Sequence, residues 1–181
     1  MTREVGFDPV HIIEVLTRHH VEFVLVGGYA AMLYGARRPT YDIDITPSMA
    51  RANLQRLSDA LRELQAGIRI DDLDDALPFG SSAESLRGIQ MLNLRTPSGD
   101  LDITFAPAGF PNGYAALRPG AHPYTVGTLT IQVADLNDVI KSKEAAARPK
   151  DLDALPELIA LARTYEPPTY RRVAQLATLP P

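Results

Sequence analysis

Two aspartates one residue apart, Asp42 and Asp44, lie in the alternating stretch Tyr41-Asp42-Ile43-Asp44-Ile45-Thr46. On a β-strand, positions i and i+2 project from the same face, about 7 Å apart at their Cα atoms. Ile43 and Ile45 then take the opposite, buried face, and both carboxylates are expected to face solvent. Neighbouring carboxylates repel unless a proton or a cation lies between them. Mg²⁺ resolves that conflict, since it prefers a few carboxylates together with phosphate oxygens. Asp102, flanked by Leu101 and Ile103, repeats the pattern. If its strand neighbours the first, three carboxylates converge, enough to hold two ions roughly 3.5–4 Å apart at a phosphoryl centre. Asp100 competes for the third place, but it is read as part of the turn Pro97-Ser98-Gly99-Asp100. The bland alternative for the pair is an exposed strand edge.

Upstream, Gly27-Gly28 separates a short apolar run, Glu22 to Val26, from a short helical stretch, Tyr29 to Tyr34. In a strand–glycine–helix arrangement, backbone N–H groups at the helix start can meet a phosphate. Glycine lets that phosphate approach the main chain closely. A tight strand-to-helix turn would look the same. The dinucleotide pattern G-x-G-x-x-G does not follow the first strand, and no Gly-Lys-Ser/Thr loop is present. Any phosphate site therefore belongs to a different fold. The basic residues carry a further signal: 15 of the 18 are arginine, and the three lysines, Lys141, Lys143 and Lys150, fall within ten residues. That clustering suits a need for a compact charge on a flexible stem, although a solvated helix face would also produce it.

The elements that would position these groups are mixed. Asp8-Pro9 reads as an N-cap and N1 proline opening a helix to about His20, with Val10, Ile13 and Leu16 inward. Ser48 caps a longer helix from Met49 to about Gln65, with Leu54, Leu57, Leu61 and Leu64 as its inner stripe. Residues 71–88 read as a surface loop that opens with the acidic run DDLDD at 71–75. Ile89 to Arg95 and Leu101 to Phe105 form a hairpin signal. Residues 106–123 are expected to be mostly loop, and Tyr124 to Val133 one strand or a small hairpin pivoting at Gly127. Asp135 caps a helix through about Ala147, and a last helix runs from about Lys150 to Arg163. The expected class is α/β (α+β), a mixed β-sheet flanked by helices with a helical C-terminal part. The boundary falls at 134/135: a core over 1–134, a lysine-bearing helical part over 135–181, and a peripheral tail from about 164.

Composition narrows the chemistry. With 181 residues, 45% apolar and 22% charged, the chain matches an ordinary globular protein of one domain, or one with a small appendage. The absence of cysteine removes disulfides, thiolate nucleophiles and cysteine-held zinc. The four histidines lack ligand spacing. No apolar run reaches the roughly 18 residues of a membrane span, and the N-terminal stretch lacks an apolar export core, so a cytoplasmic location is expected. A net charge of −4 argues against coating nucleic acid non-specifically.

Gly27-Gly28, Arg38-x-Thr40-x-Asp42-x-Asp44, Asp102 and the segment from Lys143 to Lys150-Asp151 together resemble a nucleotidyltransferase-fold protein of the polymerase-β type. Within that superfamily the chain is most similar to the AbiEii-like and MenT-like toxins of toxin–antitoxin pairs, over roughly residues 22–160. Where most of the superfamily has Gly-Ser, this chain has Gly27-Gly28, a form that fits the toxin-like branch. The resemblance implies that Gly27 and Gly28 cradle the triphosphate of an NTP substrate. Asp42 and Asp44 would hold Mg²⁺ (or Mn²⁺), with Asp102 as third ligand or as base for the incoming hydroxyl. Arg38 and Lys143 would neutralise the β- and γ-phosphates, with Lys150 in the same basic segment. Thr40 matches a hydroxyl position near the metal that antitoxins phosphorylate in some toxin relatives. Asp151 would orient Lys143 or contact the nucleotide; an ordinary acid favoured by a helix N-terminus is the competing reading.

The implied activity is transfer of a nucleoside monophosphate to an acceptor hydroxyl, most simply the 3′ end of tRNA, by a toxin with a cognate antitoxin. A small molecule such as an aminoglycoside, or a protein side chain, is the first alternative acceptor, and the DDLDD run would suit a cationic one. A catalytically idle binding module is the alternative of another class. His19-His20 reads as a helix end, His122 as a residue of the Pro/Gly loop that could contact substrate but is not counted in the site, and Tyr170-Arg171-Arg172 as a solvated tail that could instead grip RNA.

Overall fold

The computed structural model describes residues 6–70 and 75–165. Helix α1 (Pro9–Arg18) starts where expected, with the Asp8 carboxylate accepting the His11 N–H at 3.0 Å and Pro9 in the first turn. Its buried stripe is Ile12, Ile13, Val15 and Leu16. Val10 is instead 41% exposed, since at about 100° per residue it lies on the far side from that stripe's centre. Strand β1 (Phe23–Val26) runs straight into α2 (Gly27–Leu33), which begins on the two glycines and not after them. Strand β2 (Asp42–Pro47) precedes α3 (Arg51–Glu63), whose buried face carries Leu54, Leu57 and Leu61. Ala50, not Ser48, takes the N-cap position of α3, and the Ser48 hydroxyl accepts the Ala50 N–H at 3.3 Å.

The stretch read as loop contains more order than its acids, serines and glycines suggested. Strand β3 (Gly67–Ile68) precedes it, Ile68 pairs with Leu77, and α4 (Ala83–Leu86) follows under a Ser82 cap. Strands β4 (Met91–Thr96) and β5 (Gly99–Thr104) form a hairpin closed by Pro97-Ser98. Thr96 pairs with Gly99, so the ladder extends past the expected start and Asp100 lies in the strand, not in the turn. In the Pro/Gly-rich region, α5 (Tyr114–Leu117) and a 3₁₀ turn (Arg118–Gly120) lead into β6 (His122–Val126) and β7 (Leu129–Val133). That hairpin turns at Gly127, φ +61°. Helices α6 (Leu136–Ala146) and α7 (Pro149–Thr164) complete the described chain, with Asp135 capping α6 through the Asn137 N–H at 2.8 Å. Arg171, Arg172 and most of the DDLDD run lie outside the described residues.

The strands form one mixed sheet in the order β3-β4-β5-β2-β1-β7-β6. The chemistry depends on β2 and β5, which pair in parallel with Asp42 opposite Asp100 and Asp44 opposite Asp102. Alternation then sorts the residues. Ile43, Ile45, Leu101 and Ile103 are fully buried on one face, in the core shared with α1 and α3. The acids occupy the other face. The boundary expected at 134/135 falls between β7 and α6, and α6 packs against both α2 and α7. Among the described residues, no helix is long and apolar enough to cross a membrane.

Candidate active site

The acid-bearing face of β2, β5 and β4 forms one wall of a cleft of about 810 Å³; the start of α2, the loop before β2, the stretch 106–110, α6 and the start of α7 line the rest. All ten residues singled out from the sequence line it: Gly27, Gly28, Arg38, Thr40, Asp42, Asp44, Asp102, Lys143, Lys150 and Asp151. Asp42, Asp44 and Asp102 each offer a carboxylate oxygen, and the three oxygens lie within 4.8 Å of one another.

The expectation that both Asp42 and Asp44 face open solvent is corrected. Asp44 sits deep against the β1–α2 junction, with its Oδ2 accepting the Gly28 N–H at 3.4 Å. Burial, then the charges of Asp42 and Asp102, push its pKa up to about 7. The Gly28 N–H and Lys143 oppose that rise without cancelling it. Asp102 is also raised by burial, against the pull of Arg69. A site that makes its own carboxylates reluctant to ionise is short of positive charge.

The donor set fits a hard divalent cation. Carboxylate oxygens from three side chains are the ligands Mg²⁺ and Mn²⁺ take. Arg69 donates to Asp102 Oδ2 at 3.1 Å, while the buried Asp102 Oδ1 has no hydrogen-bond donor. The Arg69 Nη2 stands 3.1 Å from that oxygen too, but off the angle a hydrogen bond needs. A buried, unsatisfied carboxylate oxygen beside two further carboxylates is where an ion would repair a deficit.

The two glycines are explained by what they let approach. Gly27 adopts φ +69°, and a Cβ there would stand 2.0 Å from Asp44 Oδ2. A Cβ on Gly28 would lie 2.7 Å from the Thr40 hydroxyl, which itself donates to Asp42 Oδ1. Gly27 therefore makes room for a carboxylate and Gly28 for the Thr40 side chain, which a Cβ at 28 would force to shift. Gly27→Ala is expected to cost about 1–3 kcal/mol from the left-handed backbone and the displaced Asp44. It should weaken Mn²⁺ binding in the same protein, measured by thermal melting and by metal titration.

Opposite the acids stands a basic group on α6 and α7. Asp151 is 1% exposed. It accepts from Lys143 Nζ at 3.1 Å and from Arg148 Nε at 2.5 Å. Burial raises its pKa, but the bonds to Arg148 and Lys143 outweigh it and hold the carboxyl below its ordinary value. Arg38 Nη1 donates to the Lys150 carbonyl at 3.2 Å. Lys141 caps the Phe110 ring, 4.5 Å from its centroid.

Two residues of the site, Arg69 and Arg148, have no role in the sequence reading, and the competing acid Asp100 takes a different one. Asp100 is not among the three clustered ligands; it is held by Arg69 at 2.9 Å and Arg95 at 3.2 Å. Arg69 had no local signal, because only the β3–β4 and β4–β5 pairings bring it to Asp102. Arg148 lies within the segment from Lys143 to Lys150-Asp151, three residues before the acid it bonds. His122 pairs with Asp135 at 2.9 Å, and His19 with Glu63 at 2.6 Å, so both are bound elsewhere.

No protein-family model matches the chain, and no curated protein matches it in sequence. Solved structures do. The lincosamide antibiotic adenylyltransferase LnuA, in its lincomycin-bound crystal structure, superposes with a TM-score of 0.58 at 13% identity over 86% of this chain and 99% of its own. The antibiotic-resistance factor ANT(2″)-Ia, a solution structure, gives 0.51 at 13% identity, over 93% of this chain and 92% of its own. The chain has the nucleotidyltransferase fold, with the mixed sheet and flanking helices that the motifs implied.

Proposed function

We propose that this cleft transfers a nucleoside monophosphate from an NTP to an acceptor hydroxyl, releasing pyrophosphate. The observation that carries the reading is the juxtaposition of three converging carboxylates with a buried-acid-anchored pair of cations across one cleft. Asp42 and Asp44, with Asp102 as third ligand or as base, would hold a divalent ion, which would supply charge neutralisation at the α-phosphorus and at the departing oxygen. The chain's own groups do the rest. Gly27 and Gly28 offer a close backbone approach, and Lys143 and Arg38 bind the β- and γ-phosphates. The acceptor enters over β4 and β5, beside Arg69, and Asp102 takes the hydroxyl proton where its unsatisfied Oδ1 does not ligate the ion. The new bond joins the acceptor oxygen to phosphorus. The bond to the bridging oxygen breaks, and pyrophosphate leaves with its electron pair.

A small hydroxylated, cationic acceptor suits the acceptor side best. Asp100 and Asp102 lie there, on the wall that also carries Asp42 and Asp44. Asp42 and Asp44, which no arginine pairs among the described residues, would attract a cation there and repel a polyanion. Of the two fold neighbours, one is a lincosamide antibiotic adenylyltransferase and the other an antibiotic-resistance factor. The 3′ end of tRNA is the second reading, with the chain as the toxin of a toxin–antitoxin pair. It is favoured by Tyr41, 73% exposed at the cleft, as a stacking surface for an unpaired base, and by the Gly27-Gly28 form. An antitoxin, and modification of Thr40, belong to that reading alone. Thr40 already donates to a proposed ligand, so a phosphate on it would disturb the site directly. Either activity draws on the NTP pool, which supports the cytoplasmic location expected from the sequence.

The test is incubation with Mg²⁺ and each α-labelled NTP, with total tRNA in one series and a panel of aminoglycosides and lincosamides in another, beside Asp42→Ala. Label on an antibiotic, absent with the variant, establishes the first reading, and label on tRNA the second. No labelled product in either series, with pyrophosphate release also absent, would leave the nucleotidyltransferase fold as an idle binding module.

A further inference from the structure

We infer that Arg148, which no motif singled out, is a phosphate-binding residue of this cleft: its guanidinium fork grips the β- and γ-phosphates beside Lys143, with Asp151 aiming both cations. The inference rests on the nucleotidyl-transfer reading and adds a residue to it. Arg148 uses only Nε on Asp151. Its two terminal nitrogens have no hydrogen-bond partner among the described residues, and 61% of the side chain is exposed. An arginine anchored at Nε presents its remaining N–H groups in a fixed plane, the geometry that matches two phosphate oxygens.

The backbone keeps the fork in place. Arg148 caps α7 with φ −70° and ψ 150°, and Pro149 follows it. A residue before proline is driven to this extended region, so Arg148 cannot be drawn into the helix. Charge gives the direction. One buried carboxylate serves two cations, which leaves a surplus positive charge on this wall. The guanidinium lies close enough to Asp44 and Asp102 to feel both. A polyphosphate spanning from the carboxylate wall to α7 would meet that surplus. Lys150, the basic neighbour of Asp151 in sequence, makes no bond to it; only its carbonyl is engaged, by Arg38.

The affinity of the wild-type protein for each of the four NTPs with Mn²⁺ is measured by calorimetry, and the tightest is compared with its own monophosphate. Arg148→Ala should lose about 10- to 100-fold for the triphosphate, the worth of a charged hydrogen-bonding group, with little change for the monophosphate. Arg148→Lys should recover part of the loss, restoring charge without the fork. Lys141→Ala removes a nearby charge that faces Phe110 and should bind both nucleotides like wild type. Equal triphosphate affinity in wild type and Arg148→Ala would overturn the inference alone. Parallel loss of triphosphate and monophosphate would also overturn it, as the mark of a structural role. A wild-type protein that binds no NTP would overturn it together with the nucleotidyl-transfer reading.

Discussion

Asp44→Asn is expected to abolish nucleotidyl transfer while making the metal-free protein more stable at pH 8. The two effects share one cause. Asp44 is buried beside Asp42 and Asp102, and its pKa rises from 3.8 to about 7. A folded-state pKa above the unfolded one means the native protein holds the proton more tightly. The stability Asp44 contributes is therefore complete below the ordinary carboxylate range and is lost as pH climbs to about 7. Above that, the ionised carboxylate costs up to about 4 kcal/mol, from about three pK units at 1.36 kcal/mol each. Asparagine has nearly the same shape, can still accept the Gly28 N–H, and carries no charge. The variant should melt higher than wild type at pH 8, with the difference vanishing near pH 4. Mn²⁺ should raise the wild-type melting temperature and leave that of the variant nearly unchanged, because ligand binding stabilises only the state that binds. Transfer should fall by at least about a thousandfold, the rate equivalent of several kcal/mol of charge stabilisation. A variant that melts well below wild type at pH 8 would show that the carboxylate holds the fold together.

How much of this was legible in the sequence follows from how local each contact is. The alternation around Asp42 and Asp44 survives as an assigned face, because a period of two is a property of the strand itself. That Asp102 joins them needs the parallel β2–β5 register, which rests on sheet order. The repeated apolar-Asp-apolar pattern pointed to it without proving it. Depth was not legible at all. Whether a carboxylate facing away from isoleucines meets water depends on what covers that face, and here α6, α7 and the start of α2 do. Arg69 and Arg148 were missed for opposite reasons. Arg69 is remote in sequence from every acid it binds, whereas Arg148 was in plain view three residues before Asp151. Lys150 is adjacent to Asp151 in sequence, but helical geometry pairs i with i+3 and not neighbours.

Asp151 should behave as the mirror image of Asp44. Its carboxylate is buried but doubly paired, with its pKa held below the ordinary value by Arg148 and Lys143 against the effect of burial. A depressed pKa contributes stability that is full above the ordinary carboxylate range and is lost as pH falls through the folded value. Asp151→Ala removes the shared partner of two cations. Breaking a buried pair costs about 3–5 kcal/mol when the survivor is stranded. Lys143, 17% exposed, is stranded, whereas Arg148, 61% exposed, can turn to water, so the lower end applies. Transfer should collapse as well, because neither cation is aimed any longer. Asp151→Asn separates these consequences: it fills the same space, flattens the acid side of the pH–stability curve and still slows transfer. The metal-free wild type should then be most stable between the two windows, with Asp44→Asn lifting the neutral side and Asp151→Asn lowering the plateau. The double variant should depart from the sum of the singles, because Lys143 lies between the two carboxylates and its charge is felt by both. Strict additivity in urea unfolding across pH 4–8 would mean that the acid wall and the basic wall do not communicate, and that the cleft holds two sites and not one.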